Sequence, residues 1–338
     1  MSEDLRKVLV SPLNWGLGHA SRCIPIIQGY LKKGADVHVA SDGDALKLLQ
    51  NEFPELTFHS LPGYEVKYGD ESGLIASLVF QVPGLMKNIS AEYMAMQKLQ
   101  EQENFDLIIS DNRPGIKSKK TKSVYLTHQL QFKVKFGGKL AGKMHQMMYK
   151  DFDEVWVPDV ESPNSLAGEL SQSNKPKVKY IGHLSRAQNV LEAKIYDVLL
   201  LLSGPEPQRS KLEDELYRQL KSSKLKVALV RGTSVPRLRT HPKFKIIDLA
   251  NAKEIDQLVA QSKVVVARTG YSTLMDLSVW KRPCLLIPTP GQPEQEYLGN
   301  YLSDNKWAKV VNQKNLNIVE QLEEIQKFGY LNFTPFSI

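Results

Sequence analysis

Cysteine is nearly absent. The 338 residues hold two, Cys23 and Cys284, far apart in the chain. They fit no metal-ligand spacing and no disulfide framework, which points to a reducing compartment. Long apolar runs are missing as well, and none approaches the ~18 residues of a membrane span. The opening Met-Ser-Glu-Asp-Leu-Arg-Lys has no apolar signal region. There is no RNA-recognition aromatic signature, no zinc-finger spacing and no helix-turn-helix pattern. The expectation is a cytoplasmic protein without a nucleic-acid partner.

What is present is ordinary for a folded chain: 42% hydrophobic and 24% charged residues. The length suggests two domains, since single cores seldom grow past roughly 250–300 residues. The net charge of +7 is clustered. Lys117-Ser-Lys-Lys-Thr-Lys122 is one group. Lys133, Lys135, Lys139, Lys143 and Lys150 are another, interleaved with Phe132, Phe136, Leu140, Met144, Met147 and Met148. Residues 131–150 read either as a solvated face or as a basic amphipathic segment suited to an anionic membrane surface.

Apolar strands alternate with helical periodicity through the chain. Strands are expected at Val8–Ser11, Val37–Ser41, Thr57–Leu61, Asp106–Ser110, Ser123–Thr127 and Glu154–Val157. Helices are expected at Cys23–Lys33, Asp44–Asn51 and about Leu85–Gln102. After Tyr180–Arg186 a second series begins. Its strands are Asp197–Leu202, Lys226–Arg231, Lys245–Ile247, Val264–Ala267 and Cys284–Pro288. Its helices are Lys211–Ser222, Ile255–Gln261, Leu274–Trp280 and Val319–Lys327. Such alternation implies parallel sheets covered on both faces. The fold class is α/β, with two doubly wound, Rossmann-like domains facing one cleft and ligands at the carboxyl ends of strands. The boundaries read as 1–185, 186–318, and a helix and tail at 319–338 that packs back on the first domain. The stretch 62–104, with its Pro/Gly-broken start at Leu61-Pro-Gly, gives no functional pattern beyond the expectation of a mobile loop.

Two segments carry chemistry. In the first, a strand leads to Asn14-Trp-Gly16-Leu-Gly18-His19. It is not G-x-G-x-x-G, because Ser21 stands at the third glycine, yet Asp42 follows the second strand about where a ribose-binding acid would lie. A nicotinamide enzyme is therefore one alternative. Asp111-Asn112 and His128 each follow a strand and are candidates for the acceptor side, with a turn or a structural histidine as the plain alternatives. Gly182-His183 falls in the expected linker, where it could lie near a nucleotide. The second segment is Val264–Asn300. There Arg268-Thr269-Gly270 leads into a helix that Ser272 or Thr273 could cap. The free amides of a helix start form an anion site, and Arg268 adds a fixed charge. Gly270 permits close backbone approach or positive φ. Asp276 lies one turn in, placed to accept from a sugar hydroxyl. A Pro/Gly-rich loop, 288–296, approaches the same strand ends.

Arg268-Thr-Gly-Tyr-Ser-Thr-Leu-Met-Asp276, then Arg-Pro-Cys-Leu-Leu-Ile-Pro288, then Gln295-Glu-Tyr-Leu-Gly-Asn300, resembles the C-terminal domain of glycosyltransferase family 28, whose fold is GT-B. The family includes the N-acetylglucosaminyl transferase of the lipid-linked peptidoglycan precursor and diacylglycerol glycosyltransferases. The resemblance is strong over about 249–300, moderate over 8–40 and faint between. The family pattern is Arg-Ser-Gly, Thr, Glu, a Pro-rich strand end and Gln-Gln. Here Asp276 replaces the Glu, and Glu296 replaces the second Gln. A carboxylate cannot donate to a sugar hydroxyl as an amide can. Ser203, Gly204 and Arg209 occupy the place of the family's phosphate loop, where Pro205 and Pro207 remove two backbone donors.

The resemblance implies an inverting transfer from a nucleotide-diphosphate sugar, a uridine diphosphate sugar above all, to a hydroxyl acceptor that family habit makes lipid-linked. Ser203, Gly204, Arg209, Arg268, Thr269, Gly270, Ser272, Thr273 and Asp276 would hold the nucleotide and diphosphate, and Gln295 and Glu296 the sugar. Gly16 and Gly18 would let the acceptor approach. His19, at the cleft, would be the general base, and an imidazole suits that task at neutral pH. Helix amides and arginine would stabilise the leaving diphosphate, so no metal and no cofactor beyond the nucleotide sugar is expected. The enzyme would sit in the cytoplasm, peripherally at the inner face of the membrane. A sugar-nucleotide epimerase or hydrolase on the same domains remains open, as does a non-catalytic nucleotide-sugar or lipid-surface binding protein.

Overall fold

The computed structural model describes residues 7–15, 17–63, 74–131, 138–233, 235, 237–331 and 334–336. Gly16, Lys133, Lys135 and most of the 62–73 stretch lie outside the described residues, as do the side chains of Lys139 and Lys143. The chain divides into two compact units, one of Met1–Leu184 with Thr334–Ile338, the other Ser185–Phe333.

The first unit runs β1 (Lys7–Pro12), α1 (Leu17–Lys32), β2 (Asp36–Ser41), α2 (Gly43–Glu52), β3 (Thr57–Ser60), α3 (Leu74–Glu103), β4 (Leu107–Asp111), β5 (Lys122–Leu126), α4 (Gly138–Tyr149), β6 (Glu154–Val157) and β7 (Val178–Tyr180). The described strands form a seven-stranded sheet in the order β3-β2-β1-β4-β5-β6-β7, parallel throughout. Its central strands are buried on both faces, as the unbroken Val8-Leu9-Val10 and Leu107-Ile108-Ile109 require. Chain order reverses between β1 and β4, whose ends meet at Pro12↔Asp111. This is a topological switch point, where strand ends splay and leave a crevice.

The second unit runs β8 (Tyr196–Leu201), α5 (Gln208–Leu220), β9 (Val227–Val230), β10 (Phe244–Ile247), α6 (Ala252–Ala260), β11 (Ser262–Ala267), α7 (Tyr271–Trp280), β12 (Cys284–Leu286), α8 (Pro293–Asp304), β13 (Lys309–Val310) and α9 (Ile318–Glu323). Its described strands make a six-stranded sheet, β10-β9-β8-β11-β12-β13, with the same reversal between β8 and β11. Val198, Leu200, Leu212, Leu216, Val266 and Ile287 build its core, with Ile318 and Ile325 from the end of the chain. Each such side chain contributes roughly 1.5–3 kcal/mol by leaving water.

Several elements differ from the sequence reading: β7 and β13 have no counterpart in it, the expected helix Val319–Lys327 is α9 followed by a 3-10 turn at Ile325–Lys327, and α1, α3 and α8 have other bounds. α1 starts at Leu17, six residues before the expected Cys23, and carries Pro25 in its interior; the glycine-bearing turn is therefore partly helix. α3 is 30 residues long and starts before Leu85. Residues 293–304, expected to begin as loop, are α8, with Pro at the first turn. Proline lacks an N–H that the first turn could not use, so here it marks a start.

After β7 the chain is anchored to its own end. His183 N–H donates to Thr334 O (2.9 Å) and Thr334 N–H to His183 Nδ1 (3.0 Å). A β-bridge joins His183 to Pro335. Gly182 has φ +77°, and a Cβ there would stand 2.3 Å from Pro335 O, so only glycine fits.

Candidate active site

In the first unit the switch point gathers five buried or half-buried polar side chains and a thiol. His19 stands in the first turn of α1. Asp111 is the last residue of β4, and Asn112 follows it with φ +55°, a conformation asparagine tolerates. His19 Nδ1 lies 3.1 Å from Asp111 Oδ1. Arg22, one turn on from His19, donates through Nε to Asp111 Oδ2 (2.7 Å) and through Nη2 to Asp111 Oδ1. Its Nη1 sits 3.0 Å from Nδ1 of His128, which follows β5, and its Nη2 is 3.0 Å from His19 Nδ1. Cys23 Sγ completes the ring around Asp111 at 3.7 Å. Asn112 Nδ2 reaches Asp111 Oδ1 at 3.4 Å.

The electrostatics follow from this packing. Burial alone would raise Asp111, but Arg22 and His19 outweigh it and hold the carboxyl well below the usual carboxylate range. His19 is lowered, first by burial and then by the Arg22 charge, against the pull of Asp111. A neutral imidazole that donates Nδ1–H to Asp111 keeps an Nε2 lone pair. Its side chain is 16% exposed, enough for a ligand to reach. Cys23 is pushed well up by burial and by Asp111, so it stays a thiol and a weak donor.

Sequence reasoning missed Arg22. The signal was there: a charged residue three positions from His19, on the helix face that buries Cys23, Ile26 and Tyr30. A buried arginine requires a partner, and Asp111 is that partner.

Asp42 does not offer itself to a ribose. Its carboxylate accepts from Asn14 Nδ2 (3.1 Å) and Arg113 Nη1 (2.6 Å). Arg113, fully buried, also donates to Glu92 and to the carbonyl of Pro62. Asp42 and Asp44 share a D-x-D spacing, as do Asp151 and Asp153. Asp44 and Asp151 pair with Lys47 and Lys117, and Asp153 accepts the Ser123 N–H. The spacing builds no common site.

In the second unit the switch point brings together Ser203 and Gly204 after β8, the Arg268-Thr269-Gly270 turn after β11, and residues 287–292 after β12. Ser203 and Gly204 are exposed, and Gly204 has φ +105°. Gly270 is the N-cap of α7 with φ −74°, so it does not supply the positive φ that the sequence allowed. A Cβ on it would meet only Thr273 Oγ1, at 3.8 Å, an ordinary contact that leaves space for a ligand. Ser272 and Thr273 do not cap α7; they lie inside its first turn, and no side chain caps it. The amides of that turn keep their donor capacity.

The arginines are more committed than the sequence implied. Arg268 donates from Nη1 to the carbonyls of Ile287 and Pro288 and to Gln313, and from Nη2 to the carbonyl of Gln208. It ties the ends of β11, β12 and α5 together, and burial lowers it to about 10. Its Nε has no partner among the described residues, and neither does the hydroxyl of Thr289, which is 1% exposed. That hydroxyl lies 3.8 Å from where a Cβ on Gly204 would stand. Arg209 is held by Glu213 (2.7 Å), Glu206 and the carbonyl of Arg231, a brace for its own loop.

Thr269 donates to the Gln295 carbonyl (2.9 Å). Gln295 accepts from the Thr289 N–H, and Glu296 from the Gly291 N–H, so both side chains close the 289–296 turn. Asp276 accepts from Ser185 Oγ at 2.6 Å and is raised to about 6, chiefly by burial.

Residues 210–333 match the glycosyltransferase family 28 C-terminal domain. The match covers most of the second unit. The chain is similar to an uncharacterized glycosyltransferase of Methanosarcina acetivorans, 21% identical over 336 residues, spanning 90% of this chain and 83% of the relative. Among solved structures it is similar to the spinosyn forosaminyltransferase SpnP (TM-score 0.64, 14% identity, 96% of this chain and 90% of that one). It is also similar to MurG of Acinetobacter baumannii (0.58, 10%, 96% and 92%). A third is VinC in complex with dTDP (0.62, 11%, 95% and 90%). The fold is GT-B, and the strand-end loops of the second unit just described fall within or directly before the matched residues. No helix among the described residues is long and apolar enough to cross a membrane.

Proposed function

We propose that the protein is an inverting glycosyltransferase that moves a sugar from a pyrimidine nucleoside diphosphate, UDP first, to a hydroxyl acceptor. The observation that carries this reading is the His19–Asp111–Arg22 relay at the β1/β4 switch point. Asp111 fixes the imidazole through Nδ1, and Nε2 takes the acceptor's proton as its oxygen attacks the anomeric carbon. Attack from the face opposite the leaving group inverts the configuration. Asp111 then stabilises the imidazolium, as a buried carboxylate does for a general base. His19 is the catalytic residue; Asp111 and Arg22 are positioning residues.

The leaving diphosphate sits at the α7 start. First-turn amides around Gly270–Thr273 supply donors for its charge, with the buried Arg268 Nε and Thr289 hydroxyl, which lack a partner among the described residues, just behind them. This is why no metal is required for the departure. VinC's complex with dTDP supports a nucleoside diphosphate ligand on this fold. Asp276 and Gln295-Glu296 would contact ribose and sugar.

A lipid acceptor and a peripheral membrane location rest on α4 and the residues before it. His145 and Tyr149 pack inward against Tyr125, with His145 pushed down to about 4 by burial, while Met147 is 63% exposed. Met86 and Met94 of α3 are also exposed. Exposed methionines beside a lysine-rich sequence, 131–150, suit a lipid surface.

The experiment is incubation of the full chain with radiolabelled UDP- and dTDP-sugars and with soluble and lipid acceptors. Transfer with inverted stereochemistry supports the proposal. Epimerised or hydrolysed donor would replace it with those activities on the same site, and unchanged donor with binding alone would overturn catalysis. Flotation with anionic vesicles tests the membrane arm, which fails if the protein stays at the bottom of the gradient.

A further inference from the structure

The first unit carries a second cluster of titratable groups that the transfer reaction does not use. It lies on the face of β2 and β3 that α3 covers. Side chains alternate along a strand, so His38 shares this face with Ala40, which packs on Met96 and Leu99 of α3. In register, Ala40 pairs with His59 of β3, which puts His59 diagonally beside His38. Their rings stack at 5.2 Å, and Phe105 meets both edge-on. His38 Nδ1 and His59 Nε2 are 2.9 Å apart. Glu103, the last residue of α3, brings Oε2 to 3.9 Å from His38 Nδ1.

We infer that His38, His59 and Glu103 form a binding site for a first-row divalent metal ion of the zinc type. The three ligand atoms all lie within 4.8 Å of one another. Zinc bonds of about 2.0–2.2 Å in a tetrahedron set ligand atoms about 3.3 Å apart. The histidines need to part by a few tenths of an ångström, and Glu103 to close by a little more than half an ångström on His38 and by no more than about 1.5 Å on His59. Two imidazoles and one carboxylate are a zinc donor set, with a fourth position left for water. β3 is the edge strand of the sheet, and His59 is half-buried, so the position is reachable.

A second observation orients the site. His38 Nε2 lies 3.3 Å from Asp36 Oδ2. A metal-bound histidine that gives its other N–H to a carboxylate has its tautomer and ring plane fixed. Here the bond keeps Nδ1 as the lone-pair atom. His59 now fills that lone pair with its Nε2–H; on metal binding that proton moves to His59 Nδ1, and Nε2 becomes a ligand.

Lys7 occupies the place a cation would take. Its ammonium is 2.9 Å from Glu103 Oε2 and 3.8 Å from Asp36 Oδ2. It is a built-in competitor, which gives the inference a test that opposes loss with gain.

The test uses the full chain, stripped with a chelator, and zinc titrated at neutral pH by calorimetry, with circular dichroism to verify folding. The expected result is one equivalent per chain, with a Tm rise of about 3–6 °C at ten- to hundredfold excess over Kd. His59→Asn and Glu103→Gln should each lose that equivalent, and Lys7→Met should tighten it by at least tenfold. Cobalt should give tetrahedral d–d absorption that His59→Asn removes. No stoichiometric uptake by the wild type overturns the inference, and so does uptake that both His59→Asn and Glu103→Gln leave unchanged. Transfer activity is not the readout, so failure here leaves the glycosyltransferase reading untouched.

Discussion

His19 Nδ1 is 3.1 Å from Asp111 Oδ1, although 92 positions separate them in the chain. Parallel pairing of β1 with β4 makes the contact, by bringing the carboxyl ends of two strands to one level. His19→Ala should lower kcat by 10²–10⁴, the usual share of a general base. Asp111→Asn should lower kcat with less effect on KM. Neither should alter the melting shift that UDP induces. Equal turnover in His19→Ala and wild type would remove the base assignment.

Arg22 would set the working range of the proposed base. Its charge helps lower His19, so the neutral, proton-accepting form persists below the ordinary histidine value. In Arg22→Gln that help is gone, His19 rises, and the acid limb of the kcat/KM profile should move to higher pH. The variant also leaves Asp111 buried without its main partner, a loss of about 3–5 kcal/mol. Arg22→Lys restores the charge and should restore the limb. A limb that stays put in both variants would show that His19 is not the titrating group.

Gly270→Ala isolates ligand approach from folding. The backbone at φ −74° accepts any residue, and the added methyl meets only Thr273 at 3.8 Å. The Tm without ligand should stay within about 1 °C of wild type, while UDP stabilisation should fall at least tenfold in affinity. Unchanged UDP binding would take the diphosphate away from the α7 start.

Thr289→Val removes a buried hydroxyl that has no partner among the described residues. Deleting an unsatisfied group of the same shape is neutral or stabilising, so the ligand-free protein should melt at the same temperature or higher. If a phosphate oxygen is the missing partner, nucleotide diphosphate affinity drops by roughly 1 kcal/mol, read by calorimetry as about a fivefold rise in Kd.

Asp276 is an acid raised to about 6. A raised acid binds its proton more tightly when folded, so stability is lost as pH rises from about 4 through 6 and does not return above it. Asp276→Asn keeps an acceptor for Ser185. It should raise the ligand-free Tm at pH 7.5 and leave it unchanged at pH 4.5, by differential scanning calorimetry. Asp276→Ala should in addition abolish UDP stabilisation.

The sheet frame was legible because doubly covered strands are continuous apolar runs. Val8-Leu9-Val10 and Val264-Val265-Val266 can be little else. α8 was not, because Pro293 and Gly291 punctuate its start and its polar surface gives weak periodicity. Asp111 and His128 stood at strand ends and His19 at a helix start, where sequence can find them. Their connection could not be read, since it depends on Arg22, a residue that helix periodicity files with the core. Arg268 and Arg209 show the opposite failure. Their motif suggested charge aimed at phosphate, yet burial obliges each guanidinium to satisfy nearly all its donors within the protein.

The pairing of His183 with Thr334 and Pro335 makes the second unit, in topological terms, an insertion. The chain leaves the first unit after 184 and re-enters it at 334, and His183 and Thr334, at these two points, are hydrogen-bonded neighbours. Everything between them is a cassette on adjacent entry and exit points, the arrangement that permits domain exchange. A short linker from 184 to 334 would close the first unit into a continuous chain, and another domain of this kind could be grafted there without cutting a strand of either sheet.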